Sequence, residues 1–333
     1  MSELVTLDDI RAAQQRLAGV AVRTPLYRVE NARLRMAKVA VPEFDLYIKA
    51  ESEQPIGSFK LRGAYNMVAQ LPPEALERGV ITYSSGNHAQ GVAYAARALG
   101  AKAVIVMPEN ASEIKKQATL TLGAEIVTVG PASSERQAKA EELAREFGYT
   151  IIPPYDHPAI IAGQATCAVE ILEQLPEVEL LIAPVSGGGL LSGTAVATKL
   201  IAPEVQVWGA EPELAADAKE SFEAKRRVEW PAEKTTRTIG DGLRTQSLGA
   251  LNFEHVIRYV DGIVTVSEEE ILSAMRVILT ATELVPEPSG AVALAAALYR
   301  AHELPRVQKV AVVLSGGNLE PELWQSLEAA SRP

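Results

Sequence analysis

Lys60 lies in the run SFKLRGA (58–64), after a turn, PIGS, and at the opening of a helical stretch. Alone, a lysine at a helix start is most often a solvated cation. Here Phe59 precedes it and small residues surround it, so its amine can lose water. Desolvation lowers a lysine pKa and frees a neutral, nucleophilic amine. A second run, PVSGGGLLSG (184–193), sets Gly187, Gly188 and Gly189 between an apolar strand and a helix. A tight βα turn needs only one or two glycines. Three let several backbone N–H groups converge on one anion at the positive end of a helix dipole. The run is neither a Walker motif nor GxGxxG, so it reads as a phosphate cup without the accessories of a nucleotide site.

Three more runs could do chemistry. SSGNHAQG (84–91) places Ser85, Gly86, Asn87 and His88 between a strand and a helix, where they can hold a carboxylate. The plainer reading is a Ser/Asn helix cap with a satisfied histidine. LSGGN (314–318) ends an apolar strand, and Ser315 there can offer a hydroxyl to a ligand ring atom; by itself it is another βα turn. In GAEPELAAD (209–217), Glu211, Asp217 and an intervening carbonyl could supply oxygen ligands to Mg²⁺ or Ca²⁺, although solvated acidic side chains are the commoner outcome.

The elements that must position these residues alternate. Short apolar runs at 79–84, 101–107, 124–129, 149–152, 179–185, 205–211 and 309–315 read as strands. Helical patterns at 88–99, 112–122, 134–147, 159–175, 190–202 and 320–330 follow most of them. Strand, turn and helix in repetition predict parallel sheets covered by helices. The segment 213–245 breaks the rhythm and reads as a long functional loop with one helix; 31–46 also looks irregular. No Pro/Ser-rich linker divides the chain, so two domains would be interleaved, with 1–75 and 155–333 forming a large one and 76–154 a small one.

The 333 residues are 47% apolar and carry a net charge of −10 with both signs scattered, which argues against a nucleic-acid partner. A lone cysteine, Cys167, excludes an intramolecular disulfide and fits a reducing compartment. The amphipathic, charged start is unlike a signal peptide, and apolar runs break well short of a membrane span. A cytoplasmic protein with no membrane partner is expected.

Taken in order, SFKLRGA, SSGNHAQG, SGGGL, AEPELAAD, EPSGA and LSGGN resemble the threonine dehydratase and serine racemase group of fold-type II pyridoxal 5′-phosphate (PLP) enzymes, from about residue 20 to about 320. The resemblance implies a tryptophan synthase β-like fold of two interleaved three-layer α/β/α domains. It implies that Lys60 is the Schiff-base lysine, with Phe59 beside it, and that Ser186, Gly187, Gly188, Gly189 and Leu190 hold the cofactor phosphate. Ser186 stands where many relatives have a fourth glycine. Asn87 matches the partner of the ring's 3′-oxygen, Ser315 the partner of the pyridine nitrogen, and Ser85–His88 the substrate carboxylate site. Glu211, the Ala215 carbonyl and Asp217 match a divalent-cation site for Mg²⁺, or else Ca²⁺ or Mn²⁺.

The expected activity is dehydration of L-threonine or L-serine to a 2-oxo acid and ammonia, with the freed Lys60 amine as general base. A hydroxyl rather than a carboxylate at the pyridine nitrogen makes a weaker electron sink, which favours loss of a β-hydroxyl. Serine racemase and threo-3-hydroxyaspartate dehydratase are the alternatives. Ser85 matches the racemases' second proton donor, where several dehydratases have alanine. An inactive binding protein with a PLP-like pocket is the reading from outside the family. The resemblance further suggests a homodimer or homotetramer, and no regulatory C-terminal domain is expected.

Overall fold

The computed structural model describes residues 4–130 and 133–331. The chain begins with α1 (Leu7–Leu17), β1 (Leu26–Arg28), α2 (Asn31–Met36), β2 (Asp45–Ala50), α3 (Lys60–Val68) and α4 (Pro73–Arg78). Then come β3 (Val80–Tyr83), α5 (Asn87–Ala98), β4 (Ala103–Pro108), α6 (Glu113–Thr121), β5 (Glu125–Val129), α7 (Ser133–Phe147) and β6 (Thr150–Ile151). The long α8 (Pro158–Gln174) leads to β7 (Leu180–Pro184), α9 (Gly189–Ile201), β8 (Gln206–Pro212), α10 (Asp217–Ala224) and α11 (Ala232–Thr235). The chain closes with α12 (Ala250–Tyr259), β9 (Gly262–Val266), α13 (Glu268–Ala281), α14 (Pro288–Tyr299), β10 (Lys309–Leu314) and α15 (Pro321–Ser331).

Two sheets result. The larger runs β1-β2-β10-β7-β8-β9 and the smaller β5-β4-β3-β6. The chain lays down two strands of the large sheet, then all of the small one, and returns to complete the first. Pairings are parallel except at one edge, where β1 runs antiparallel to β2 with Leu26 opposite Lys49.

Strands buried on both faces should read as unbroken apolar runs, and β7 (LLIAP) and β10 (KVAVVL) do. Along β7, Leu181 and Ala183 face a core shared with α1, α8, α9 and α12, while Leu180 and Ile182 face one shared with α13 and α14. The small sheet repeats the pattern: Val80, Ile105 and Met107 pack toward α3 and α5, and Ile81, Val104 and Val106 toward α7. Both sheets are thus the middle layers of three-layer sandwiches.

The sequence pattern left parts unread. Strands β1, β2 and β9 and helices α12, α13 and α14 were not expected. The irregular 31–46 contains α2 and enters β2; 213–245 holds two helices, α10 and α11, with 3₁₀ turns at Glu213–Ala215 and Asp241–Leu243. Strand β2 is hard to read because it carries Lys49 in its buried half. Lys49 is fully buried, donating to Glu170 (2.6 Å) and to the Thr24 carbonyl (2.7 Å). The same cluster takes Arg62, whose guanidinium binds Glu51 and Glu170 at 2.7–2.9 Å. Burial opposes the Glu51 carboxylate, but Arg62 and Lys49 overturn it and hold its pKa below the usual range. Arg62 lies two residues beyond Lys60, so these ion pairs anchor the first turn of α3. Removing one partner of such a buried pair costs about 3–5 kcal/mol.

Candidate active site

Lys60 is the first residue of α3, and its Nζ donates to the Pro154 carbonyl (2.7 Å) at 5.3 Å from the centre of the Phe59 ring. Among the described residues no carboxylate bonds the amine, and desolvation lowers its pKa to about 8. Phe59 is tied to the end of β10: its N–H donates to the Ser315 carbonyl (3.1 Å), and Ser58 bridges Gly316. Lys60 and Ser315, far apart in sequence, therefore share one corner. Ser315 is only 3% exposed.

The glycine run joins β7 to α9. Gly188 caps the helix at φ +100°, a conformation side chains resist, and a Cβ there would meet Asn252 Cβ at 2.8 Å. A Cβ on Gly187 would lie 2.5 Å from the Tyr155 ring, so the loop fits closely under that tyrosine. Ser186 keeps a negative φ and uses its side chain: its hydroxyl contacts Thr245 Oγ1 (2.8 Å) and accepts from the Thr245 N–H (3.3 Å). Asp156 holds the neighbouring α12 from outside, accepting from the N–H groups of Ala250 (2.9 Å), Leu251 (3.0 Å) and Asn252 (3.2 Å). Two helix N-termini, those of α9 and α12, are thereby brought beside the glycine run.

The loop after β3 behaves differently from a simple cap. Gly86 occupies the cap position of α5 with no side-chain bond, and Ser84, not Ser85, bonds the Gly86 N–H (3.3 Å). The Ser85 hydroxyl has no partner among the described residues, and the first N–H groups of α5 stay directed out of the helix end. His88 is buried, with Nε2 2.9 Å from the Ile152 carbonyl; desolvation, then Lys60, push its pKa down to about 3. Its ring is a neutral donor to backbone, so only its backbone N–H remains for an anion. The Asn87 amide donates to Glu287 Oε1 (2.7 Å) and accepts from Asn318 Nδ2 (2.6 Å).

A family model described as pyridoxal-phosphate dependent enzyme matches residues 17–316. The chain belongs to this family. It is 39% identical to an L-threo-3-hydroxyaspartate ammonia-lyase of Saccharomyces cerevisiae, over 97% of this chain and 96% of that one. It is 40% identical to an L-threonine ammonia-lyase of Thermotoga maritima, over 95% of this chain and 76% of the other. The solved structure of maize serine racemase superposes with a TM-score of 0.90 at 36% identity, covering 98% of each chain. The PLP fold and the ammonia-lyase and racemase grouping follow, while the three names carry three different substrates or outcomes.

The residues fit PLP. A cornered, desolvated lysine amine, a glycine cradle that any Cβ would fill, and a serine side chain held beside the lysine corner fit its aldehyde, phosphate and ring nitrogen in turn. Glu211 and Asp217 are both buried, and both Asp217 carboxylate oxygens lack a partner among the described residues. Glu211 accepts from the Ala218 (3.1 Å) and Lys219 (3.0 Å) N–H groups. Desolvation, with Asp217 nearby, pushes Glu211 well above the carboxylate range, and desolvation pushes Asp217 up to about 7. Among the described residues no three His, Cys, Asp or Glu side chains group around a metal, so a cation here would need carbonyl oxygens such as that of buried Ala215. No described helix is long and apolar enough to cross a membrane.

Sequence reasoning passed over Glu287, Asn318, Tyr155 and Asp156. The run EPSGA did hold Glu287, but a glutamate before a proline reads as a helix start. Only its partner, 200 residues away, shows otherwise.

Proposed function

We propose that the chain is a PLP-dependent L-threonine/L-serine ammonia-lyase that releases a 2-oxo acid and ammonia. The observation that carries this reading is Lys60: an amine with a pKa of about 8, held by a carbonyl rather than a carboxylate, is suited to take and return a proton near neutrality. When bound, PLP supplies the electron sink for the charge left at the substrate α-carbon. Ser186, Gly187, Gly188, Gly189 and Leu190 hold its phosphate, Ser315 faces the ring nitrogen, Asn87 the ring oxygen, and Phe59 walls the Lys60 corner. Ser85, Gly86, Asn87 and the His88 N–H bind the substrate carboxylate. Lys60 Nζ takes the α-proton. Buried Glu211 and Asp217, with the Ala215 carbonyl, hold a structural Mg²⁺, which would balance two carboxyls that otherwise resist ionisation.

One observation favours a racemase instead. Ser85 does not cap α5, and its hydroxyl is uncommitted, as a second proton donor would be. A substrate panel of L-threonine, L-serine, D-serine and threo-3-hydroxyaspartate, read for both 2-oxo acid and enantiomer, separates the readings. The ammonia-lyase reading expects 2-oxo acid from L-threonine and L-serine. Turnover confined to threo-3-hydroxyaspartate, or racemised serine without 2-oxo acid, would overturn it. In Ser85→Ala, dehydration should survive while any racemisation disappears; an unchanged ratio rejects a two-base role.

A further inference from the structure

Glu287 stands at the N-cap of α14, only 5% exposed, and the proposed function gives it no role. Its Oε1 accepts from Asn87 Nδ2 (2.7 Å), and its Oε2 from the Asn318 backbone N–H (3.2 Å). Asn318 returns through its own amide, whose Nδ2 donates to Asn87 Oδ1 (2.6 Å). The Asn87 amide is thus gripped at both ends. An ionised carboxylate only accepts, so the group facing it must be the NH₂, and one N–H of that NH₂ is left over. Asn87 belongs to α5 over the small sheet, whereas Glu287 and Asn318 belong to the large-sheet side.

We propose that Glu287 is a positioning residue of the cofactor site: it fixes the Asn87 amide from the large-sheet side and aims its remaining N–H at the oxygen substituent of the PLP ring. The inference rests on the reading that Asn87 faces that oxygen. Other side chains could not do the same. Glutamine at 287 would present an NH₂ either to the Asn318 N–H or to Asn87, setting two donors against each other. Alanine would leave the Asn87 amide free to turn and offer its oxygen to another oxygen. Burial, then Asp241, push the Glu287 pKa up to about 8, while the Asn87 and Asn318 donors and Lys115 pull it back. The bonds that orient Asn87 are therefore those that favour the charged carboxylate, and orientation and charge reinforce each other.

The test uses two probes that cannot react with Lys60 because they lack the aldehyde: pyridoxine 5′-phosphate and its analogue without the 3-hydroxyl. Binding to the apoprotein is measured by tryptophan fluorescence well above pH 8, where Glu287 is ionised. Glu287→Ala should weaken pyridoxine 5′-phosphate about tenfold, the loss of one charge-assisted orientation, and leave the deoxy analogue unchanged. Glu287→Gln should act in the same direction with a smaller effect, and it guards against an alanine variant that does not fold. In the double variant with Asn87→Ala, the two losses should not add. Equal weakening of both probes would mean a merely structural role and overturn the proposal. If Asn87→Ala discriminates the probes and neither Glu287 variant does, the positioning role fails and the reading of Asn87 stands. If Asn87→Ala discriminates nothing, both fall.

Discussion

Lys60 keeps an amine in a corner where water is scarce, and its chemistry should report that. Only the neutral amine attacks an aldehyde carbon. With a pKa of about 8 rather than the ordinary 10.5, the apoprotein should take up PLP at a rate that rises about tenfold per pH unit below 8 and levels off above it. An ordinary lysine would go on rising for two further units, so stopped-flow uptake across this range decides whether desolvation operates. Lys60→Ala should lose the visible absorption of the bound cofactor and keep under about a thousandth of the turnover, the size of effect a positioned base supplies. At the glycine cup, Gly188→Asp forces a side chain into φ +100° and a charge beside an anion. Strain alone costs about 1–3 kcal/mol, so PLP should be lost on dialysis that wild type survives. The triple glycine was legible because a tight turn needs fewer glycines, whereas Lys60 was legible only in the company of the other motifs, since a lone lysine at a helix start is most often solvated. Glu287 and Asp156 were not legible. Each is an acidic residue beside a proline or a loop, and its meaning lies in donors far along the chain.

At the scale of elements, alternation of apolar runs and helical patterns marked every strand with a parallel partner on each side. What escaped were edges and exceptions. Strand β1 is three residues long and antiparallel, β2 carries the buried Lys49, and β9 lies at the far edge. Helix α14 was passed over for another reason: it is buried along nearly its whole length and shows no polar face from which to read a period. The turn between β8 and α10 carries its own test. If Asp217 and Glu211 hold a cation, EDTA should lower the melting temperature and Mg²⁺ restore it. The gain is about 2.7 kcal/mol when the cation exceeds its Kd about a hundredfold. Asp217→Ala should melt lower and ignore both additions; a wild type indifferent to EDTA would reject the site. Helix α12 offers a second test at this scale. Asp156→Ala strips three N–H groups of their acceptor, which should cost about 1–2 kcal/mol. Because Asn252 and Leu248 back Gly188, PLP affinity should fall with it, whereas Asp156→Asn should retain part of both.

On the scale of the whole molecule, the proposed site draws on both sheets: Ser85–His88 follow a strand of the small one, and the glycine run and Ser315 follow strands of the large one. On the proposed reading chemistry requires both at once, and the boundary combines apolar packing of α3 and Ile160 against the helices of the small sheet with polar contacts. One of those contacts is ionic. Lys115 of α6 pairs with Asp241 (2.6 Å) and Glu320 (3.3 Å) on the large-sheet side, and Glu320 also accepts from Ser112 (3.1 Å). Burial lowers the Lys115 pKa, but Asp241 and Glu320 together raise it above its ordinary value, so the link is charged throughout the neutral range. The groups are partly exposed, so the pairs are worth only about 0.4–1 kcal/mol and are screened by salt. Their loss should matter less for folding than for the balance between joined and separated bodies, since apparent substrate affinity falls with the joined fraction. Lys115→Met is therefore expected to raise KM about two- to fivefold with little change in kcat or melting temperature. Raising ionic strength should raise the wild-type KM toward that of the variant and leave the variant nearly unmoved. Equal KM values in the two proteins at low salt would show that the link plays no part in holding the two halves of the site together.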